Sequence, residues 1–366
     1  MQDDATPSRL VFRNDYSEGA HPRILEALVR ASKEQNAGYG RDRHSVRAAE
    51  LIRALAGQPS AAVHLLSSGT QTNLVALSAF LRPHQAVIAA DSGHIATHET
   101  GAIEATGHKV LVAPSTDGKL APADVEALLD AHGNEHMVQP RLVYVSNSTE
   151  SGTVYSRSEL VALSALCRAR GLLLFVDGAR LGAALTADAN DMTLADIAAL
   201  VDAFYIGGTK NGALLGEALV IVNPDLQQDL RYLIKQRGAL LAKGMVLGVQ
   251  FETLFEDGLY FELARHANRM AARLHAGLLG NGAEFAAPLA TNQLFLVVTD
   301  AQASALSAVC EFEPWQSLGG GRRVVRLATS WATREDAVDA LIDAHGALMR
   351  ADTSVLRDPS DRVVAS

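Results

Sequence analysis

The sequence predicts an α/β protein: a large domain with a mostly parallel sheet flanked by helices, followed by a smaller α+β C-terminal domain. Its 366 residues are enough for about two domains. Short apolar runs alternate with stretches of helical period from residue 60 to residue 222, which is typical of parallel strands joined by crossover helices. This alternation stops near residue 225. We therefore assign residues 1–250 to the large domain, residues 251–352 to the small domain and residues 353–366 to a polar tail.

The individual elements follow from apolar runs and from helical spacing. Seven mainly apolar runs predict strands of the large domain, at 61–66, 85–90, 109–113, 142–146, 172–176, 203–206 and 217–222. Apolar residues at helical spacing predict amphipathic helices over 22–33, 45–56 and 158–170. In the small domain we expect a long helix over roughly 258–280, strands near 293–299 and 324–328, and a final helix near 334–349.

Composition restricts the classes of partner and compartment. The formal net charge of −9 opposes binding to phosphate backbones, so we expect no nucleic-acid partner. Every apolar run is interrupted before the roughly 18 residues of a membrane span, and the polar N-terminus does not resemble a secretory signal. Cys167 and Cys310 each lie in an apolar helical pattern, which indicates reduced core residues of a cytoplasmic protein.

The first candidate site is SSGTQTN, residues 67–73, between the strand AAVHLL and a helix. A strand that enters a helix through Ser68, Gly69 and Thr70 directs several backbone N–H groups at one point, where the helix dipole favours an anion such as phosphate. An ordinary capped helix explains the same residues. The segment matches neither GxGxxG nor a Walker loop, which argues against dinucleotides and nucleoside triphosphates.

The second candidate is Asp177 with Arg180, in LLLFVDGAR, where a continuous apolar strand ends in a carboxylate. Open α/β sheets bind ligands at the carboxyl ends of such strands. An aspartate that caps the next helix is the alternative.

The third candidate is Lys210, which lies among glycines in FYIGGTKNGALLG, also just after an apolar strand. A lysine next to an apolar strand favours a lowered pKa and imine formation with an aldehyde. A solvated loop lysine is the alternative.

One cofactor requires all three candidates. Pyridoxal 5′-phosphate carries a phosphate for a helix N-terminus, an aldehyde for a lysine, and a ring nitrogen that an aspartate keeps protonated. Lys210 and Asp177 are separated by one helix and one strand of chain, so both side chains emerge along the same edge of the predicted sheet. No motif indicates a metal site.

The chain also resembles a known family from residue 14 to about residue 331. The motifs that carry the resemblance are NDYSEG (14–19), GYGRD (38–42), SSGTQTNL (67–74), GHIATHETGA (93–102), STESGTVY (148–155), VDGAR (176–180), GGTKNG (207–212) and VRLATSW (325–331). They resemble the low-specificity threonine aldolases and related phenylserine aldolases, pyridoxal-phosphate enzymes of fold type I with the aspartate-aminotransferase-like fold.

The resemblance implies roles for the residues that bind the cofactor. It makes Lys210 the Schiff-base lysine and Asp177 the partner of the pyridine nitrogen. Ser68, Gly69 and Thr70 are implied to hold the phosphate. His94 matches the histidine that stacks on the cofactor ring in this family.

For the substrate, the resemblance implies that Arg180 and Arg326 bind the α-carboxylate, which suits a planar bidentate fork. It also implies that Arg180 binds the cofactor, near its O3′ side. Asn14 stands where many relatives carry a serine that touches this carboxylate. In many threonine aldolases the STESG segment carries a histidine near the substrate β-hydroxyl, and here Glu150 takes that position. The catalytic base therefore stays open among His94, His98, Glu150 and an ordered water.

The resemblance also implies an oligomer with active sites at a dimer interface. The segment LIKQRGALLAKG crosses such an interface in this family, and Lys243 is the residue we expect to reach the neighbouring phosphate. For Lys235 and Arg237 a solvated helix face is an equally good explanation. Tyr39 lies in a similar cross-subunit segment, and we expect it to contact substrate. We expect a homodimer or homotetramer.

The implied activity is retro-aldol cleavage of L-threonine, L-allo-threonine or related β-hydroxy-α-amino acids to glycine and an aldehyde. The alternatives are a β-eliminating lyase or an aminotransferase acting on a small amino acid, and a non-catalytic protein that keeps the fold. The sequence does not distinguish threonine from allo-threonine or phenylserine as the preferred substrate.

Overall fold

A computed structural model describes residues 9–355, and the side chains of residues 9–350. The chain divides into two compact units. The large unit is Glu18–Arg265, and in the described part of the chain the small unit combines residues 9–17 with residues 266–355. The division falls fifteen residues after the predicted boundary at 250, inside a helix, and the N-terminal segment differs from the prediction by joining the small unit. It does so because Leu10 and Val11 pair in parallel with Cys310 and Glu311.

The described residues form thirteen strands. They are β1 (Leu10–Val11), β2 (Ala62–Leu66), β3 (Gln85–Ala90), β4 (Val110–Ala113), β5 (Gln139–Ser146), β6 (Leu173–Asp177), β7 (Ala203–Gly207), β8 (Glu217–Ile221), β9 (Glu284–Phe285), β10 (Gln293–Thr299), β11 (Cys310–Glu311), β12 (Glu313–Gly319) and β13 (Arg322–Ala328). The seven strands predicted for the large domain are confirmed, with ends that move by at most three residues.

The helices of the described residues are α1 (Pro22–Ala31), α2 (Arg43–Ala56), α3 (Gly69–Phe80), α4 (His94–Thr97), α5 (Pro122–Ala131), α6 (Arg157–Arg170), α7 (Leu181–Leu185), α8 (Leu194–Leu200), α9 (Leu230–Gln236), α10 (Met245–Glu256), α11 (Leu259–Gly280), α12 (Asp300–Ser307) and α13 (Glu335–Val355). Two 3-10 turns occupy Glu104–Thr106 and Pro224–Leu226. The final helix continues to Val355, past the predicted start of the polar tail, and residues 356–366 of that tail lie outside the described residues.

Local chemistry explains where the helices begin and end. In α6, the Ser156 side chain accepts from the backbone of Glu159 while the Glu159 carboxylate accepts from the backbone N–H of Ser156, which is a capping box. The helix ends at Gly171, whose φ of 63° is the left-handed conformation that glycine adopts without strain. Both signals were readable in the sequence, which is why the predicted helix agrees with the structure to within one residue.

The large unit is built on a seven-stranded sheet with the order β2-β8-β7-β6-β5-β3-β4. Strands β4, β3, β5, β6 and β7 run parallel, while β8 pairs antiparallel with both β7 and β2. Strands β6 and β7 are buried along their whole lengths, as parallel strands covered on both faces must be, and the antiparallel β8 is equally buried. The sheet is therefore the mostly parallel one that the sequence predicts, and its carboxyl edge is the expected place for a ligand.

The small unit contains a four-stranded antiparallel sheet with the order β12-β13-β10-β9. Its core includes Phe12, Leu296 and Leu327. Strand β12 was not predicted, because its sequence EPWQSLG is polar and mostly exposed. The helical prediction for Cys310 was wrong. This residue lies in β11 and pairs with Leu10 of β1, so strand pairing outweighs the apolar helical spacing around it. Cys167 does lie in a helix, and both cysteines are buried free thiols.

Candidate active site

Asp177 ends strand β6 at the carboxyl edge of the large sheet, in register with Ser146 on β5. Its side chain is almost fully buried, with 3% of its surface exposed. Asn73 Nδ2 on α3 donates to Asp177 Oδ2 at 3.1 Å, and the Tyr144 hydroxyl donates to the same oxygen. The backbone N–H of Ala179 donates to Oδ1 at 3.0 Å. Three separate elements therefore hold this carboxylate in place.

The surroundings of Asp177 keep it ionised despite its burial. Burial alone would raise the pKa of Asp177, but the charge of His94 and hydrogen bonds from Tyr144 and Tyr205 oppose this and hold the pKa below its ordinary value. The site thus contains a fixed negative charge that lies out of water. Such a charge stabilises a cationic ring nitrogen placed against it.

The N-terminus of helix α3 lies next to the same carboxylate. Ser68 caps this helix, and its Oγ accepts from the backbone N–H of Gln71 at 3.3 Å. A Cβ at Gly69 would lie 3.1 Å from the hydroxyl of Tyr205, which hydrogen-bonds Asp177. Only a residue without a side chain leaves this approach open, and the first-turn N–H groups of Gly69 and Thr70 have no intrahelical acceptor.

His94 begins the short helix α4 and is fixed through both its backbone and its ring. Its Nδ1 lies 2.8 Å from Glu99 Oε1, and the same oxygen accepts from Asn73 Nδ2 at 2.7 Å. A chain of hydrogen bonds thus connects Asp177 through Asn73 and Glu99 to His94. Burial lowers the pKa of His94, but the hydrogen bond with Glu99 and the charge of Asp177 outweigh this and raise it. The ring centroids of His94 and His98 are 5.6 Å apart.

Glu150 lies in the loop after β5 and turns back towards His94. Its Oε1 accepts from the backbone N–H of His94 at 3.1 Å and from the Ser146 hydroxyl at 2.8 Å. The second oxygen, Oε2, is buried and has no hydrogen-bond partner among the described residues. Burial, together with the charge of Asp177, raises the pKa of Glu150. Glu150 can therefore exchange a proton nearer to neutral pH than an exposed glutamate.

Lys210 follows strand β7 in a turn made of small residues, and it is half-buried. The backbones of β6 and β7 meet here, because Gly207 N–H donates to the Gly178 carbonyl at 2.9 Å. A Cβ at Gly178 would overlap the Tyr205 carbonyl, so the close approach requires glycine. The charge of Lys210 acts to lower the pKa of both His94 and Glu217, so the amine lies within electrostatic range of these two groups.

A second buried carboxylate, Glu217, supports this turn from β8. Its Oε2 accepts from the backbone N–H of Gly208 at 3.0 Å, and the Thr209 side chain hydrogen-bonds to it as well. Burial raises the pKa of Glu217 to about 8, although the hydrogen bond from Thr209 and the charge of Lys210 oppose the rise.

Comparison with known proteins places this arrangement in a family. Residues 12–301 match the family described as beta-eliminating lyase. The chain belongs to that family. Among its relatives is a low specificity L-threonine aldolase of Pseudomonas sp., 33% identical over 345 residues, or 93% of this chain and 98% of the relative. Another low specificity L-threonine aldolase, from Pseudomonas aeruginosa, is 34% identical over 81% of this chain and 86% of its own length.

Solved structures agree with the family assignment. A threonine aldolase of Leishmania major has a TM-score of 0.91 and 52% identity over 93% of this chain and 99% of its own. An aspartate aminotransferase of Thermus thermophilus has a TM-score of 0.70 at 16% identity, over 93% of this chain and 91% of its own. At that identity the second likeness shows the fold, which is the aspartate-aminotransferase-like fold type I that the sequence predicts.

Within this lyase fold, the structure brings together a subset of the predicted site residues. Lys210, His94, Glu150, Asp177 and the Ser68–Thr70 turn form one cluster in the large unit. Arg180 is half-buried just beyond Asp177. The roles assigned to these residues stay predictions, although their positions fit them.

The remaining predicted residues are Tyr39, Lys243, Asn14 and Arg326. Tyr39 and Lys243 are exposed in two neighbouring segments of the large unit, where Tyr39 N–H donates to the Ala242 carbonyl at 3.2 Å. Asn14 and Arg326 belong to the small unit. There Asn14 Oδ1 accepts from the Tyr16 backbone N–H at 3.0 Å and from the Ser17 hydroxyl at 2.9 Å. Their predicted contact with a substrate carboxylate stays a prediction.

Four residues that orient the cluster were not predicted from the sequence: Glu99, Tyr144, Tyr205 and Glu217. Asn73 lies in the first candidate site, but its contact with Asp177 was not predicted. Asn73 and Glu99 lie in quoted motifs, but only the fold shows that they meet. The two tyrosines are polar groups inside apolar strands, and that is a readable signal, since a buried hydroxyl requires a partner. In the described part of the chain, no helix is long and apolar enough to cross a membrane. Residues 9–355 contain no cluster of three or more His, Cys, Asp or Glu side chains arranged to hold a metal ion.

Proposed function

We propose that this lyase cleaves L-threonine, L-allo-threonine or a related β-hydroxy-α-amino acid to glycine and an aldehyde, with pyridoxal 5′-phosphate as cofactor. The observation that carries the proposal is the convergence of Lys210, the ionised Asp177 and the open N-terminus of α3 at one edge of a parallel sheet. The relatives named low specificity L-threonine aldolase support the choice of reaction.

The cluster fits the cofactor by the chemistry of its donors. The N–H groups at Gly69 and Thr70 would hold the phosphate, and the buried Asp177 carboxylate would hold the protonated ring nitrogen. Lys210 would hold the aldehyde carbon covalently through Nζ. His94 would cover the ring, because its own hydrogen bond to Glu99 fixes the imidazole plane.

When bound, pyridoxal phosphate supplies an electron sink for the pair of electrons released by the breaking Cα–Cβ bond. The residues of the chain set the conditions for this. Asp177 keeps a proton on the ring nitrogen, and the hydrogen bonds from Asn73 and Tyr144 prevent the carboxylate from rotating away. Burial of the cluster excludes water, which strengthens each of these electrostatic interactions.

We assign the proton exchange at the substrate β-hydroxyl to Glu150. Its Oε1 is fixed by the Ser146 hydroxyl and the His94 N–H, while Oε2 lies buried and available for a proton. The raised pKa of Glu150 suits a group that takes up a proton and returns it near neutral pH. His94 is the second candidate base, but its Nδ1 is already occupied by Glu99.

We retain Arg180, Arg326 and Asn14 as ligands of the substrate α-carboxylate, because bidentate guanidinium groups suit a planar anion. Tyr39 and Lys243 are retained as residues that act on the active site of a second subunit, in a homodimer or homotetramer. Their exposure in adjacent segments supports this assignment. The two buried free thiols support a reducing compartment, which we take to be the cytoplasm.

Beta-elimination is the second candidate, because the family that matches residues 12–301 is described by that reaction. Product analysis distinguishes the two. The purified protein should show a visible cofactor band and release glycine and acetaldehyde from L-allo-threonine. Pyruvate and ammonia from serine or tryptophan, without aldehyde from any β-hydroxy amino acid, would instead establish the eliminating lyase. A folded protein without a visible band would favour a non-catalytic role.

A further inference from the structure

Trp315 contacts Arg326, the residue of the small unit that is predicted to bind the substrate carboxylate. The Arg326 guanidinium carbon lies 5.1 Å from the centroid of the Trp315 ring, within the range of a cation–π interaction. Trp315 also packs against Phe295 in a T-shaped arrangement, with ring centroids 5.2 Å apart and an interplanar angle of 61°. Trp315 is half-buried on β12, at the edge of the four-stranded sheet.

The register of the sheet shows how Trp315 reaches this position. Pro314 pairs with Val325, and Gln316 pairs with Val324, so Trp315 has no residue opposite it and forms a β-bulge. A bulge re-aims the side chain of the extra residue. The bulge therefore directs the indole ring of Trp315 towards Arg326. A regular edge strand with this polar sequence would not require a large aromatic side chain at this position.

Arg326 itself is anchored by its strand neighbours. It pairs with Phe295 on β10, so the two side chains lie on the same face of the sheet. Its guanidinium also donates to Gln293 Oε1 and to the Arg13 carbonyl, each at 3.5 Å, which is the long limit for a hydrogen bond. The indole ring adds a cation–π contact to these two long hydrogen bonds.

We propose that Trp315 is a positioning residue that orients Arg326 for the α-carboxylate of an amino-acid substrate. A guanidinium held at cation–π distance from an indole ring has fewer orientations open to it, and the orientation decides whether a planar guanidinium can bind a carboxylate in bidentate fashion. The inference rests on the proposed function, because it takes Arg326 as the carboxylate ligand.

The test compares Trp315→Leu, Trp315→Phe and wild type as holoenzymes. Trp315→Leu should raise the KM for L-allo-threonine about 3- to 10-fold, with kcat changed by less than about twofold. Trp315→Phe keeps an aromatic face and should raise KM by less than about threefold. Leu318→Ala, an exposed apolar residue on the same strand, is the matched control and should leave KM unchanged.

A binding readout independent of turnover uses glycine and glycinamide, which lacks the carboxylate. Each is titrated into the holoenzyme while the visible cofactor band is followed. Trp315→Leu should weaken the affinity for glycine by the same factor by which it raises KM, and it should leave the affinity for glycinamide unchanged. In an Arg326→Lys background the effect of Trp315→Leu on glycine should largely disappear, because the two residues act together.

Three results would overturn the inference. They are an equal loss of affinity for glycine and glycinamide, an unchanged glycine affinity in Trp315→Leu, and an undiminished Trp315 effect in the Arg326→Lys background. Should Trp315→Leu not fold, Trp315→Met, a flexible side chain without an aromatic face, takes its place in both the single and the double variant. A wild-type holoenzyme that binds glycine but cleaves no β-hydroxy amino acid would remove the proposed reaction and leave the glycine test of Trp315 valid.

Discussion

The two sheets hold their polar residues in opposite ways. At the carboxyl edge of the seven-stranded sheet, Asp177 is almost completely buried and receives hydrogen bonds from Asn73, Tyr144 and Ala179. In the four-stranded sheet, Arg326 is half-buried and relies on long hydrogen bonds and the face of Trp315. The first arrangement fixes a buried charge through a network of hydrogen bonds, and the second holds a partly exposed charge through weaker contacts.

The difference predicts two classes of variant. Changes in the large unit should abolish cofactor chemistry, because a buried charge removed from a rigid network cannot be replaced by water. Changes in the small unit should mainly weaken substrate capture, since a partly exposed guanidinium forms interactions of modest strength.

The largest effect is expected for Lys210→Ala. The substitution removes the only group assigned to hold the cofactor covalently, so both the visible band and aldehyde release should fall below detection. Absorbance spectra and an aldehyde assay measure the two. Lys109→Ala, at an exposed position, is the control and should behave as wild type. A persistent visible band in Lys210→Ala would contradict the central assignment.

Asp177→Asn should have the second largest effect. We expect it to reduce kcat by about 10²- to 10³-fold, as for the loss of one preorganised electrostatic partner. The amide keeps the shape of the side chain but not the charge that holds a proton on the ring nitrogen. Steady-state kinetics with L-allo-threonine measure the loss, and circular dichroism verifies the fold. A kcat within threefold of wild type would show that the buried charge is structural.

Much of the carboxyl edge of the seven-stranded sheet was predictable from the sequence, because short local patterns mark its residues. Asp177 and Lys210 each follow a continuous apolar strand, and Ser68 caps a helix directly after a strand, so short patterns locate them. Their partners come from distant parts of the chain. Glu99 meets Asn73 across 26 residues and Asn73 meets Asp177 across 104, and no local pattern encodes such contacts.

The small unit was less predictable, because its decisive features depend on strand pairing. The N-terminal strand pairs with residues 310–311, about 300 positions away, so the described residues 9–17 belong to the small unit and not to the predicted large domain. Strand β12 is polar and exposed, so it lacks the apolar alternation that indicates a strand. The β-bulge at Trp315 exists only as a register shift between β12 and β13.

Glu150→Gln tests a residue of the large unit that is proposed to exchange protons, whereas Asp177 is proposed to hold a constant charge. We expect kcat to fall by about 10²-fold, the lower end for a lost acid-base group. The raised pKa of Glu150 means that the wild type should lose activity as the pH falls through a value above 4.5, where the carboxylate takes up its proton. The variant should lack this acid limb in its pH profile.

Glu104→Gln, at an exposed glutamate, is the control for that experiment and should keep the wild-type profile. An acid limb of kcat that survives unchanged in Glu150→Gln would transfer the role to His94, His98 or a water molecule.

Arg326→Lys should affect capture more than chemistry. Lysine keeps the charge but cannot form the bidentate fork, so we expect KM for L-allo-threonine to rise about tenfold, with kcat within about threefold of wild type. Arg322→Lys, on the same strand at an exposed ion pair with Glu284, should have no effect on KM. A fall in kcat without a change in KM would contradict the expectation that changes in the small unit affect substrate capture and not chemistry.

The smallest effect concerns stability, and it uses the second buried carboxylate of the large unit. Burial raises the pKa of Glu217 from 4.5 to about 8. The unfolded chain releases this proton above pH 4.5, whereas the folded protein keeps it, so the stability contributed by the bound proton declines as the pH rises from 4.5 to about 8 and is constant above that. Glu217→Gln stays neutral and can still accept from Gly208 N–H, so it should escape this decline.

Thermal unfolding across that pH range tests the point. The Tm of Glu217→Gln relative to wild type should increase by about 5 °C between pH 5 and pH 9. Glu256→Gln, at an exposed glutamate, should show a constant difference over the same range. A Tm difference that shrinks with pH would mean that the Glu217 carboxylate is stabilised as an anion, which would require the charge of Lys210 to outweigh burial. The turn that carries Lys210 would then be held by an ion pair rather than by hydrogen bonds to a neutral acid.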